Sequence, residues 1–250
     1  MKPSASIIAI FAGLLCATQV GAQTPPTAPD VDPQAVQALQ RMSAFLGTVT
    51  AFELKADGAF DIVLDDGQKL QIGEQSVFKV RMPNGFVIER TGDYKQRRFT
   101  YDGKQLTVYS PRLDFYAQAP APATIRETLG AISSQYGIEL PLTDLFRWSQ
   151  PGGGRVEQLR EAFYVGPATV DGTVTDHYAF REPEVDWQIW IARGDAPVPR
   201  RVVIVDRTDP VAPQYAATLS WNLRPNFTPA TFTFEPPKGA MPIRLTALER

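Results

Sequence analysis

The chain has 250 residues, 44% hydrophobic and 21% charged, with a formal net charge of −2, one histidine and one cysteine. That balance argues against sequence-independent binding to nucleic acid or acidic membranes, which needs a basic excess. A single cysteine excludes a disulfide within the chain and a cysteine-based metal site.

The N-terminus reads as an export signal. Lys2 supplies a positive start, and "IIAIFAGLLCATQVGA" supplies an apolar core followed by small residues. Val20, Gly21 and Ala22 fit the small-x-small pattern, so cleavage is expected after Ala22. The run is too short and wrongly flanked for a spanning helix. Cys16 follows Leu14 and Leu15, a poor acylation signal, so the product is expected to be an exported periplasmic protein and not a lipoprotein. Removing residues 1–22 removes the cysteine and takes the charge to about −3, because Lys2 goes with it. No later apolar run is long enough to cross a membrane.

"QTPPTAPDV", residues 23–31, is a Pro-rich leader. Asp32-Pro33 then has the form of a helix cap followed by proline at the first helical position. Val36, Leu39, Met42 and Leu46, with Phe45 beside them, keep helical spacing, and Gly47 is the expected stop. After Gly47 the period changes to that of short strands, punctuated by Asp57-Gly58, Asp66-Gly67, Asn84-Gly85, Gly92-Asp93 and Asp102-Gly103. Such pairs tolerate positive φ and favour hairpins, which predicts an antiparallel meander. Residues 121–148 interrupt it. Ile125, Leu129 and Ile132 predict a helix stopped by Gly137, and Pro141 opens a second short one carrying Leu142, Leu145 and Phe146. The glycines at 152–154 form a flexible loop. Strands return to the end of "TFTF", and Pro236-Pro237-Lys238-Gly239 closes the sheet region.

The expected fold is mainly β with α: about eleven antiparallel strands in an incomplete barrel, with an N-terminal helix and an inserted helical lid. Residues 33–245 contain no stretch with the composition of a linker and are expected to be one half-barrel domain.

Little in the chain carries catalytic chemistry. His177 lies in "TVTDHYAF" beside Asp176. A general base oriented by Asp176 is one reading, but strand neighbours point to opposite faces, and an ordinary hydrogen-bonded histidine is the other. Metal-ligand spacing is absent, "PGGGR" lacks the lysine and hydroxyl of a phosphate loop, and carboxylate pairs such as Glu182/Glu184 and Asp206/Asp209 have no fixed separation. No enzyme activity, metal or cofactor is expected. The informative feature is apolar residues on both faces of some strands. In "DWQIWIA", Trp187, Ile189 and Ile191 alternate with Trp190 and Ala192; in "RRVVIVDR", Val202 and Ile204 alternate with Val203 and Val205. Either the second face lines a dry cavity, or both faces are buried in a filled core.

"KVRMPNGFVIERTGDYKQRRFTYDGKQLTVYSPRLDFYAQ", residues 79–118, resembles the periplasmic outer-membrane lipoprotein carriers of Lol type. Asp102, Gly103, Lys104, Leu106, Tyr109 and Pro111 match their hairpin, and Phe232, Phe234, Pro237 and Gly239 match their closing pattern. A closer likeness over 33–243 carries "YGIELPLTDLF", "VDGTVTDHYAFREPEVDWQIWIARGDAPVPRRVVI" and "FTFEPPKGA". It is similar to a family of predicted periplasmic proteins of unknown function that share the carrier fold. The resemblance implies an incomplete barrel with a helical lid and an apolar interior. The carriers' latch arginine stands directly before the strand-end proline; here that position is Met82, with Arg81 one residue earlier, and Thr107 replaces their hairpin aromatic. A one-residue shift moves a side chain to the other face, so the latch does not carry over.

The function this implies is non-enzymatic binding of a hydrophobic ligand, a lipid or a lipoprotein acyl chain, inside the half-barrel. Its lining would draw on Phe86, Ile88, Phe99, Leu106, Val108, Trp187, Ile189, Trp190, Leu219 and Trp221, with the inward parity of each strand left open. Ile125, Leu129, Leu142 and Phe146 would form the lid. The alternative is an envelope interaction module with a filled core and no ligand, whose partners would be other envelope proteins.

Overall fold

In the computed structural model the described residues are 31–93, 95–138 and 156–246. The export signal, the cut after Ala22, the second inserted helix with Leu142 and Phe146, and the 152–154 loop lie outside them. The Asp32 carboxylate accepts from the Gln34 amide at 2.8 Å, and Pro33 occupies the first position of α1, Pro33–Thr48. The helix buries Ala35, Ala38, Leu39, Met42 and Leu46. It runs through Gly47 and ends only at Val49, whose amide bonds the Leu46 carbonyl. Glycine stops a helix by taking positive φ, and Gly47 does not.

The strands are β1 Ala51–Val63, β2 Lys69–Arg81, β3 Gly85–Gly92, β4 Gln96–Tyr101, β5 Gln105–Ser110 and β6 Phe115–Pro120, then β7 Glu161–Val170, β8 Thr173–Arg181, β9 Val185–Ala192, β10 Pro199–Asp206, β11 Gln214–Asn222 and β12 Met241–Ile243. They form one twelve-stranded sheet in the order β12-β6-β5-β4-β3-β2-β1-β11-β10-β9-β8-β7. The edges β12 and β7 do not pair, so the barrel is incomplete. Neighbours are antiparallel except β12, which lies parallel to β6. Between β6 and β7 comes α2, Ile125–Tyr136, capped by Thr124 and closed by Gly137 at φ 62°. Among the described residues no helix is long and apolar enough to cross a membrane.

Three expectations are corrected. Asp57-Gly58 is not a turn: β1 runs straight through it, with Gly58 opposite Glu74 on one side and Ala217 on the other. "TFTF" is not a strand: Pro229–Phe232 is a single 3-10 turn. Nor does the sheet end before residue 240, because Met241–Ile243 adds the twelfth strand. The segment between β11 and β12 passes over the sheet face opposite the helices. Phe232 packs on Arg81, and Phe234 packs between Tyr109 and Tyr116 at 5.6 and 5.5 Å. That explains the burial of Val87, Thr100 and Thr107 on the same face. By contrast Asp171-Gly172 is a two-residue hairpin turn with φ of 44° and 74°, as its chemistry predicts.

Candidate functional site

Strand side chains alternate between faces, so the registers decide which residues meet. One row on the helix-covered inner face runs Val108, Phe99, Ile88, Phe78, Leu54 and Trp221. The next runs Leu106, Tyr101, Phe86, Val80 and Phe52. Across the other half Ile189 pairs with Tyr178 and Val202, and Trp187 with Phe180 and Ile204. Leu219 sits opposite Ala56. All of the predicted lining residues in these rows belong to one apolar cluster with α1 and α2. Phe86, Ile88, Ile189 and Leu219 are each 0% exposed, while Val108, Leu129, Trp187 and Trp221 are only partly buried.

Trp190 is the exception. It lies on the outer face, stacked on His177 with ring centroids 3.9 Å apart and under the Arg201 guanidinium at 5.1 Å. Its strand neighbours Ile189 and Ile191 took the inner parity, which forces Trp190 outward.

The inserted helix meets the inner face through Ile125, Thr128 and Ile132. Its first turn is held by the Ile125 amide on the Pro83 carbonyl, and Tyr101 donates to the Pro122 carbonyl just before it. α1 packs closely on β7. At the far end of the inner face the lining turns polar. Arg90 bonds Glu74 through two nitrogens at 3.0 and 2.7 Å, and burial pushes the Tyr215 hydroxyl up to about 12.

Asp176 and His177 do not form a pair. The Asp176 carboxylate accepts from the Tyr164 hydroxyl at 2.9 Å and from Arg193 at 3.0 and 2.6 Å. Arg193 holds it below the usual carboxylate range. His177 instead bonds Gln188 at 3.0 Å on the opposite face. Burial lowers the His177 pKa from its ordinary 6.5. With the folded value below the unfolded one, its contribution to stability is full above about pH 6.5 and is lost as pH falls through that value to the folded one. Melting temperature is therefore expected to fall between pH 8 and 5.5, and His177→Gln to flatten that part of the profile. An unchanged profile in the variant would assign the slope to other groups.

A pocket of about 290 Å³ opens between α1 and the adjoining ends of β8 and β9. Ala38, Tyr178 and Ile191 form its floor, with Arg41, Asp176, Arg193 and Pro197 around it. Sequence reasoning passed over Arg41 and Arg193, which lie far apart in the chain and come together only when α1 packs across the sheet. Among the described residues no cluster of His, Cys, Asp or Glu could hold a metal ion.

Comparison with known proteins finds no match among curated sequences. Solved structures match the chain at low identity. The Mycobacterium tuberculosis lipoprotein LppX is 14% identical with a TM-score of 0.48, covering 78% of this chain and 98% of its own. An uncharacterized conserved protein from Thermus thermophilus is 13% identical with a TM-score of 0.47, covering 84% and 99%. A LolA superfamily protein from Nitrosomonas europaea is 9% identical with a TM-score of 0.38, covering 80% and 97%. The family model described as "Predicted periplasmic protein (DUF2092)" matches residues 35–246, which takes in α1 but for its first two residues and all twelve strands. The chain belongs to the DUF2092 family of predicted periplasmic proteins.

Proposed function

We propose that the chain, cut after Ala22 on export, is a non-catalytic periplasmic binding protein that holds the apolar part of a lipid or lipoprotein acyl chain against its inner face. The observation that carries this reading is an apolar face that continues past its cover. Val108, Trp187, Tyr215 and Trp221 stay partly exposed on an unclosed sheet, as does Leu129 on α2, and Ile62 and Leu70, paired across β1 and β2, are each 38% exposed. α2 covers part of that face through Ile125, Thr128 and Ile132 and serves as the lid, with Leu142 and Phe146 following it in sequence. Each methylene buried against such a face contributes ~0.8 kcal/mol, about fourfold in affinity, so long chains are preferred over short ones.

A second reading is favoured by the full burial of Leu54, Phe86, Ile88, Ile189 and Leu219, each 0% exposed: a sealed core whose rim docks another envelope protein. Native mass spectrometry of protein purified from the periplasm, followed by organic extraction, separates the two. The expected result is a stoichiometric lipid adduct that Leu129→Glu abolishes and the outer-face Trp190→Ala retains. A clean apo mass with no uptake of added fatty acid or phospholipid would leave the docking module.

A further inference from the structure

We propose that the pocket between α1 and the ends of β8 and β9 binds an amphiphile with an oxyanion head, a carboxylate or phosphate on a short apolar chain. The head would sit on Arg41 and the chain on Ala38, Tyr178 and Ile191. The charges around the pocket do not cancel. Asp176 is committed to Arg193 and Tyr164, all three donor contacts falling on its Oδ1. That pairing neutralises Arg193. Arg41 lines the same pocket and has no hydrogen-bond or ion-pair partner among the described residues. It lies near enough to Asp176 and Tyr178 for its charge to act on both. The pocket therefore holds one surplus cation in a chain whose net charge is −2.

A guanidinium presents a planar fork of donors that matches carboxylate and phosphate oxygens. Beneath it the floor is buried: Ala38 is 2% exposed, Tyr178 2% and Ile191 5%. A volume of about 290 Å³ stands at the lower limit of ligand pockets, ~300 Å³. It suits one short chain and excludes a bulky diacyl lipid. This pocket lies apart from the face under α2, so its reading stands or falls separately from the one above.

The test is calorimetric titration of the purified exported chain with octanoate, octyl phosphate, octanol, acetate and inorganic phosphate. Octanoate and octyl phosphate are expected to bind, octanol about tenfold more weakly, and acetate and inorganic phosphate without measurable heat. Arg41 is on the exposed face of α1, so Arg41→Gln leaves the fold intact. It is expected to weaken octanoate about tenfold and leave octanol unchanged, with partial recovery in Arg41→Lys. Leu129→Glu, which blocks the face under α2, is expected to leave the octanoate titration unchanged. Equal binding of octanol and octanoate, inorganic phosphate binding as well as octyl phosphate, or octanoate binding lost in Leu129→Glu but kept in Arg41→Gln would each overturn the proposal.

Discussion

Gly58→Ala is expected to destabilise the protein by about 3 kcal/mol or more, at or beyond the upper end for overpacking. Gly58 lies in the middle of β1, with β2 paired on one side and β11 on the other. A Cβ there would collide with the carbonyl oxygen of Ala216 and lie 2.7 Å from the Cβ of Ala217. Neither obstacle is the free end of a side chain. Relief requires β1 and β11 to separate, and this junction joins the two halves of the sheet. At roughly 2–4 °C per kcal/mol for a chain of this size, the melting temperature falls by about 6–12 °C. Gly73→Ala is the control. Gly73 pairs with Ala59 one step along, and a Cβ there meets nothing within 4 Å. Alanine in an open strand position limits the unfolded chain, so that variant is expected to be neutral or more stable by ~0.5 kcal/mol. Equal stabilities for the two variants in urea unfolding would refute the close-approach argument.

The same glycine shows where the sequence is ambiguous. Asp57-Gly58 and Asp102-Gly103 are identical pairs, and both read as hairpin turns. Asp102 does nucleate one, its carboxylate accepting from the Lys104 and Gln105 amides at 2.9 and 2.8 Å. Gly103 takes φ 99°. Asp57 instead faces Gln75 across the ladder at 3.4 Å. Turn chemistry is local, but whether a turn forms depends on whether the flanking strands find partners beyond it. Here Phe60 and Ile62 have partners in β2, and the strand continues.

The candidate site divides along the same line. The residues of the inner rows are marked in the sequence by apolar type and period 2, and Phe86, Ile88, Phe99 and Leu106 lie in one apolar cluster. The outward parity of Trp190 is not marked there, because Trp187, Ile189 and Trp190 are equally apolar and parity is set by the neighbours in β8 and β10. His177 makes the same point in the other direction. It adjoins Asp176 in sequence, but strand neighbours point to opposite faces, and in space it has an ordinary hydrogen bond to Gln188 and a stack on Trp190. The Arg41 pocket left no mark at all, since an arginine on the polar side of an amphipathic helix looks like any solvated charge until the helix is docked.

Phe232→Ala is expected to lose about 3–5 kcal/mol, the range for a buried phenylalanine, and about 6–20 °C in melting temperature. Phe232 is 2% exposed although it lies outside the main apolar cluster, on the far side of the sheet. Three things hold its ring. The Arg81 guanidinium lies 4.6 Å from the centroid, and Phe227 meets it edge-on at 5.4 Å. Gly85 supplies the third: a Cβ there would lie 3.3 Å from the Phe232 ring, so the missing side chain is what lets the ring settle against the backbone. The chain then runs on through Phe234, between Tyr109 and Tyr116, to β12 on the β6 edge. Removing the ring therefore loosens the cover over Val87, Thr100 and Thr107 and, beyond it, the cover of an edge strand. The expected accompaniment is faster hydrogen exchange in β6 as well as near residue 232. Lys238→Ala on the same segment touches no core and is expected to stay within about 0.5 kcal/mol. A loss below about 1 kcal/mol for Phe232→Ala, with β6 still protected, would mean that the segment only drapes over the sheet. The outer face would then have to be stable without it.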